Sequence, residues 1–554
     1  MPTGMGGWSP FESKTRHNST TCSPQMSTQR SQDKTTSMQN FHGDWIVILD
    51  FGSQLTQLIA RRIREQNVYC EIHPFDTPRA TFQEHPPCGV ILSGGPKSVY
   101  DEDAPHLAAE WLDADPPLLG ICYGLQILSH KLKQGSVERA SKREFGKATL
   151  TIDDDQDLLK DVAKHSTVWM SHGDHIIQPP DEFVALAHTA NTSVAAIRHQ
   201  DRPIYGVQFH PEVVHTEEGE KILRNYLFEV CKCTPSWSAA SFIDSEIEQI
   251  RATVGDRNVL CALSGGVDST VVATLIHRAI GDQLQCVFVD NGLLRKNEFQ
   301  TVLQLYREHL HLPVEGIDAS KQFLQKLSGV SDPEAKRKMI GNTFIEVFDT
   351  YVAGHEKHFD LLAQGTLYPD VIESVSFKGP SSTIKSHHNV GGLPEKMQMS
   401  LLEPVRELFK DEVRRVGREL GIPERFIKRH PFPGPGLGIR IIGEVSEDKL
   451  TLLREADEIF IDSLLEWNLY DNVWQALAVL LPVQSVGVMG DERTYDFTIA
   501  LRAVTSVDGM TADWARLPDD LLAHASNRII NEVHGVNRVV YDISSKPPAT
   551  IEWE

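Results

Sequence analysis

Leu118-Leu119-Gly120-Ile121-Cys122-Tyr123-Gly124 runs from an apolar strand into a turn framed by two glycines, and Leu125 to Leu132 then continues with helical spacing. A nucleophile held between glycines, after a strand and before a helix, stands exposed on a tight elbow. The glycines are required because a Cβ on either side would clash. The helix N-terminus behind Cys122 favours the thiolate. The same strand–turn–helix rhythm extends outward. Trp45 to Gly52 is a short apolar run ending in glycine, followed by helical spacing from Thr56 to Glu65. Gly89-Val90-Ile91-Leu92-Ser93-Gly94-Gly95-Pro96 is another strand closing on a glycine turn. Repeats of this length predict a parallel sheet with helices on both faces. A strand at Tyr205–Phe209 and a helix at Glu218–Val230 are expected to complete the unit.

Cys233 to Ser238 reads as a linker, and a second α/β unit begins at Val259. Its first strand, Val259 to Leu263, runs directly into Ser264-Gly265-Gly266-Val267-Asp268-Ser269, with a helix expected from Thr270 to Ile280. Further strands are expected at Leu284–Asp290 and Phe359–Gly365. His430-Pro431-Phe432-Pro433-Gly434-Pro435-Gly436-Leu437-Gly438 is the densest turn signal and marks a second boundary. Beyond it, the order of predicted elements (helix Leu450–Glu466, strands Ser485–Met489 and Phe497–Val504, helix Ala523–Val533, strand Val539–Ile543) suggests a small α+β domain. The expected fold class is α/β: two doubly wound parallel-sheet domains and a C-terminal α+β domain. The expected boundaries are a disordered tail over 1–44, then domains over 45–236, 237–430 and 431–554.

With 554 residues the chain exceeds one core; length suggests roughly three or four domains. It is 40% hydrophobic and 23% charged, an ordinary globular composition. A net charge of -22 argues against a nucleic-acid groove, although Lys336, Arg337 and Lys338 could line a local basic pocket. The eight cysteines lack staple-like spacing, which points to reduced thiols and a cytosolic protein. No run of ~18 apolar residues predicts a membrane span. Residues 1–40 are rich in Ser, Thr and Gln and lack the apolar core of a secretory signal.

A cysteine nucleophile needs a base. His210-Pro211-Glu212 supplies one, with Glu212 placed to set the imidazole tautomer and stabilise its charged form. The Tyr123 N–H and an N–H of the Gly94-Gly95 turn are the candidate oxyanion donors. A lone buried cysteine after a strand is more often packing; the glycine frame, the His-Pro-Glu triplet and the second glycine turn outweigh that here. His172 and His175 read as loop residues beside this centre. Ser264 to Ser269 is an anion cradle of backbone N–H groups at a helix N-terminus. No lysine follows its glycines, so the usual γ-phosphoryl loop is not indicated. Asp268 either holds Mg²⁺ or caps the following helix. Asp290-Asn291-Gly292 lies at the carboxyl edge where nucleotides dock in open sheets.

Residues 45 to 235 resemble the class I glutamine amidotransferases. The resemblance implies hydrolysis of glutamine through a γ-glutamyl thioester on Cys122, with Gly94, Gly95, Tyr123 and Gln126 at the oxyanion and glutamine positions. Leu55 departs from the tyrosine expected after Asp50-Phe51-Gly52-Ser53-Gln54, away from the chemistry. Ser264 to Ser269 resembles the loop of the N-type ATP pyrophosphatases, which cleave ATP between the α- and β-phosphates. This implies that ATP is held by Ser264, Gly265, Gly266, Val267, Asp268, Ser269, Thr270, Val289, Asp290, Asn291, Gly292 and Gly365, with Mg²⁺ on Asp268. Val289-Asp290-Asn291-Gly292, Gln364 to Asp370, Ile384 to Asn389, the 430–440 loop and Lys546 to Glu554 together resemble the GMP synthetase family. That resemblance implies xanthosine monophosphate (XMP) as acceptor, bound by Arg337, Gln475, Lys546 and Glu552. It further implies a lid containing Lys385, His387 and His388, and a homodimer formed through 431–554. His387 and His388 lack a suitably spaced third metal ligand. Other readings keep both centres with a different acceptor, as in an NAD-synthetase-like or tRNA-modifying ligase, or make the chain a binding scaffold. The acidic charge argues against tRNA, and the intact motifs argue against a scaffold.

Overall fold

Strands that are apolar along their whole length must be covered on both faces, and two sets of them build the computed structural model. It describes residues 43–113, 116–374, 399–489, 492–506 and 511–554. Residues 1–42 of the tail expected over 1–44, and Lys385, His387 and His388, lie outside the described residues. In the first sheet the strands in chain order are β1 (Trp45–Asp50), β2 (Tyr69–Pro74), β3 (Gly89–Leu92), β4 (Leu118–Ile121), β5 (Val137–Ile152), β6 (His165–Ile176), β7 (Phe183–His188), β8 (Ala196–His199) and β9 (Ile204–Val207). Their spatial order is β2-β1-β3-β4-β9-β8-β7-β5-β6. The first five are parallel, as expected. The remaining four join antiparallel and make the sheet mixed. Continuous apolar runs advertise doubly covered strands, whereas β6 alternates buried and open positions and shows only a period of two.

The second sheet is wholly parallel, in the order β12-β11-β10-β13-β14. Its strands are β10 (Val259–Leu263), β11 (Leu284–Asp290), β12 (Val314–Asp318), β13 (Leu361–Ala363) and β14 (Ser400–Leu402). The chain winds outward from β10 to β12, then returns to the other side of β10 at β13. The crevice at such a reversal is where ligands dock in open sheets. The third sheet pairs two long antiparallel strands, β15 (Gln475–Met489) and β16 (Glu492–Thr505), with the short β17 (Asp513–Trp514) and with β18 (Val536–Tyr541) parallel to β16. Val479, Leu480, Ile499, Ala500 and Leu501 are buried core. Among the described residues no helix is long and apolar enough to cross a membrane.

The segment read as a linker is pinned. Trp237 is buried, its backbone N–H donates to the Asn67 carbonyl, and its indole donates to Glu412 at 2.8 Å. Beside it the guanidinium of Arg64, on the helix Thr56–Glu65, is fully buried among the rings of Tyr69, Trp237, Tyr368 and Phe409. It pairs with Glu412 at 3.0 Å and donates to the Cys70 carbonyl at 2.8 Å. Cation–π contact and a charge-assisted bond together hold one cation between the first two sheets' domains.

Candidate active site

Cys122 sits between β4 and the helix Tyr123–Leu132 with φ of 52° and ψ of −105°, a conformation that L-residues rarely adopt. The glycine frame makes this possible. A Cβ on Gly120 would come within 2.7 Å of the Gly124 carbonyl carbon and the Leu125 nitrogen, and one on Gly124 would run into the Leu92 carbonyl. The elbow is anchored by the Cys122 N–H, which donates to the Val207 carbonyl at 2.8 Å. The turn after β9 brings in the base. His210 Nδ1 lies 2.8 Å from Glu212 Oε1, and both residues are buried. The Gly94-Gly95 turn closes the same space. A Cβ on Gly94 would stand 3.1 Å from His210 Cε1, and one on Gly95 would stand 2.7 Å from the Phe51 carbonyl and 3.2 Å from the Tyr123 ring. Cys122, His210, Glu212, Gly94, Gly95 and Tyr123 therefore converge. Gln126 faces the same site from one turn along the helix, donating to the Asp174 carbonyl at 2.8 Å.

Burial alone favours a neutral His210 ring. The Glu212 carboxylate and the Cys122 sulfur outweigh it and raise the imidazole from 6.5 to about 11. The group therefore keeps its proton, and the stabilisation this brings is complete below 6.5 and lost only as pH rises toward about 11. In Glu212→Gln the counter-charge is gone and burial prevails. Glutaminase should then lose the protonated imidazole from the neutral range upward, and its kcat/KM should fall about 10- to 100-fold at pH 8. A pH–rate profile unchanged from wild type would contradict this. His172 and His175 lie on β6, not in a loop, because the alternating pattern of that stretch pairs it with β5. His172 is nonetheless beside the centre, buried and bonded to the Asp174 carbonyl at 2.9 Å.

The second centre surrounds the switch point. Gly265 takes a φ of +76°, and the Ser264 and Ser269 hydroxyls lie 3.0 Å apart, closing the loop on itself. The helix Val267–Ile280 starts at Gly266, and Thr270 Oγ1 donates to the Gly266 carbonyl at 2.7 Å. Asp268 makes no cap contact. One of its oxygens pairs with Lys410, and the other has no partner among the described residues. Gly365 packs directly on it, a Cβ there falling 3.3 Å from Asp268 Cβ. Val289 and Asp290 end β11. Asp290 Oδ1 accepts from Gly292 at 2.8 Å, where φ is +71°, and Asn291 Oδ1 accepts from Leu293 at 2.9 Å. Burial raises the Asp290 carboxyl above its ordinary value.

The C-terminal residues fold back onto Lys336, Arg337, Arg440, Gln475 and Arg502. Gln475 Nε2 donates to Glu552 at 2.6 Å, and the buried Arg440 grips the same carboxylate at 2.8 and 3.1 Å. Arg337 reaches the tail at the Glu554 carbonyl rather than at Glu552. Lys546 is held by its backbone to Ala512. Lys336 does not line an open basic pocket. It is fully buried, and its ammonium is spent on Glu554 at 2.6 Å and the Ile441 carbonyl at 2.7 Å, with burial lowering its pKa. Arg502 fastens the tail through the carbonyls of Ile551, Thr550 and Ser544.

Sequence reasoning missed Gln208 beside Cys122, Lys410 on Asp268, Arg440 on Glu552, and Arg429, which donates to the Gly265 carbonyl at 2.7 Å. Gln208, Arg429 and Arg440 lie in or beside stretches already read; Lys410 carries no such signal.

This fold and site define the class I glutamine amidotransferases, the family described as glutamine amidotransferase class-I, which matches residues 47–230. Residues 462–553 match the GMP synthase C terminal domain. GMP synthase (glutamine-hydrolyzing) of Brachyspira hyodysenteriae is 56% identical over 517 residues, covering 93% of this chain and 100% of that protein. Its namesake in Nitratidesulfovibrio vulgaris is 58% identical over 511 residues, covering 92% of this chain and 99% of that protein. The chain belongs to the glutamine-hydrolysing GMP synthase family.

Proposed function

We propose that this chain converts XMP to GMP at the expense of glutamine and ATP, with the two halves of the reaction in separate centres. In the first, Cys122 Sγ, its proton lodged on His210, attacks the γ-carboxamide carbon of glutamine. The Tyr123 N–H and the Gly94-Gly95 turn receive the oxyanion. His210 returns a proton to the departing ammonia, and water then cleaves the thioester to glutamate. Glu212 keeps the imidazole oriented and favours its charged form whenever it carries the proton. In the second, the C2 oxygen of XMP attacks the α-phosphorus of ATP and expels pyrophosphate. Ammonia displaces AMP at C2, a far better leaving group than the free oxygen. Glycine N–H groups of Ser264 to Thr270 cradle the phosphates, with Val289 to Gly292 and Gly365 along the crevice.

The unpartnered Asp268 oxygen suits a hard cation. Mg²⁺ held there would neutralise phosphate charge. Arg337, Gln475, Lys546 and Glu552 are assigned to XMP, a reading supported by the Glu552–Gln475 contact at 2.6 Å. In this reading 45–236 is the amidotransferase, 237–430 the ATP pyrophosphatase and 431–554 the dimerisation and XMP-binding domain. Exposed Val483, Val486, Val488 and Tyr495 along β15 and β16 support a homodimer through that last domain. The free thiols, Cys122 included, support a cytosolic setting.

The observation that carries the proposal is the pairing of the Cys122–His210–Glu212 cluster with a lysine-free phosphate loop at the switch point, in a chain spanning the length of its relatives. Incubation with glutamine, ATP, Mg²⁺ and XMP should yield GMP, AMP, pyrophosphate and glutamate together. ADP and orthophosphate in place of AMP and pyrophosphate would reject it.

A further inference from the structure

Gln208 is fully buried, and its carboxamide has an unusual environment. Nε2 lies 3.9 Å from Cys122 Sγ, while Oε1 has no hydrogen-bond partner among the described residues. A buried amide with one end unpaired costs stability, and an apolar side chain of equal size would fill the same space without that cost. The sulfur explains its presence. Sγ also lies 3.7 Å from the Ser171 carbonyl, which suits the neutral thiol as an acceptor. Once the proton has passed to His210, that carbonyl presents the wrong end of its dipole to the sulfur anion. The carboxamide can turn either face to a thiol, but only its N–H face suits a thiolate.

We infer that Gln208 is a further catalytic residue of the glutaminase centre, its amide N–H stabilising the Cys122 thiolate before attack and again when water expels it from the thioester. The inference rests on the assignment of Cys122 as nucleophile. Of the titratable groups near the sulfur, His210 faces it directly, backed by Glu212; His172 of β6 interacts with His210, with Glu144 of β5 and with His175 of β6.

The test compares Gln208→Met, which keeps the volume, with Gln208→Glu, which keeps the shape and replaces the donor by an anion. Carbamidomethylation of Cys122 by iodoacetamide is followed by mass spectrometry at fixed neutral pH, beside steady-state glutaminase kinetics and a thermal melt. The Met variant should lose about tenfold in both alkylation rate and glutaminase kcat, with KM for glutamine nearly unchanged. The Glu variant should lose about a hundredfold or more. If the Met variant does not fold, the near-isosteric Glu variant carries the same readout. Either variant, folded and alkylating at the wild-type rate, overturns the inference. Retained glutaminase in Cys122→Ala would instead overturn the nucleophile assignment.

Discussion

Cys122→Ala abolishes glutamine-dependent GMP formation, by about 10⁴-fold or more, and leaves synthesis from added ammonium within about twofold of wild type. The expectation follows from the separation of the centres. Sγ is the atom that would carry the acyl group, and the strained elbow backbone presents no other thiol in its place. The phosphate loop belongs to a different sheet, anchored by Gly265, Thr270 and Lys410. Nothing in it depends on Sγ. Parallel assays with glutamine and with ammonium chloride measure the effect, and loss of both activities would sink the two-centre account.

Arg64→Met should lower the stability of the protein by roughly 3–5 kcal/mol, the usual cost of leaving one member of a buried pair uncompensated. Glu412 would lose its buried cation, and the Cys70 and Glu407 carbonyls would each lose a donor. Burial disfavours the charged guanidinium, yet Glu412 holds Arg64 firmly protonated. The four rings around it would keep their packing but lose the cation. Denaturant titration should show the earliest transition at lower concentration. The Arg64→Met/Glu412→Leu double variant, which removes both charges, should recover much of the loss. A single variant unfolding at the wild-type midpoint would show that the cage contributes nothing.

Much of this was legible in the sequence. Four of the five parallel strands of the first sheet (β1, β3, β4 and β9), the elbow and β10 with its loop are local: apolar runs, glycines and a nucleophile fall within a few residues of one another, whereas β2, broken by Glu71 and His73, shows no such run. His210 and Glu212, two residues apart, needed only the end of a strand to share a face. The antiparallel half of the first sheet was harder to see, because strands covered on one face alternate and blend with polar loops. The buried state of Lys336 was equally hidden. Charge alone suggests an open pocket, and only the return of Glu554 shows the ammonium consumed.

By itself the sequence determined the strand–glycine–helix elbow at Cys122 and the cradle at Ser264 to Ser269, because backbone sterics and helix termini act over a handful of residues. Only the tertiary structure decided that Gln208 faces the sulfur, that Arg440 grips Glu552, and that Arg64 is locked against Glu412. Those contacts join residues 86, 112 and 348 positions apart in the chain. Their pairing depends on how buried charge and amide groups are satisfied once the sheets have packed, and no local pattern encodes it.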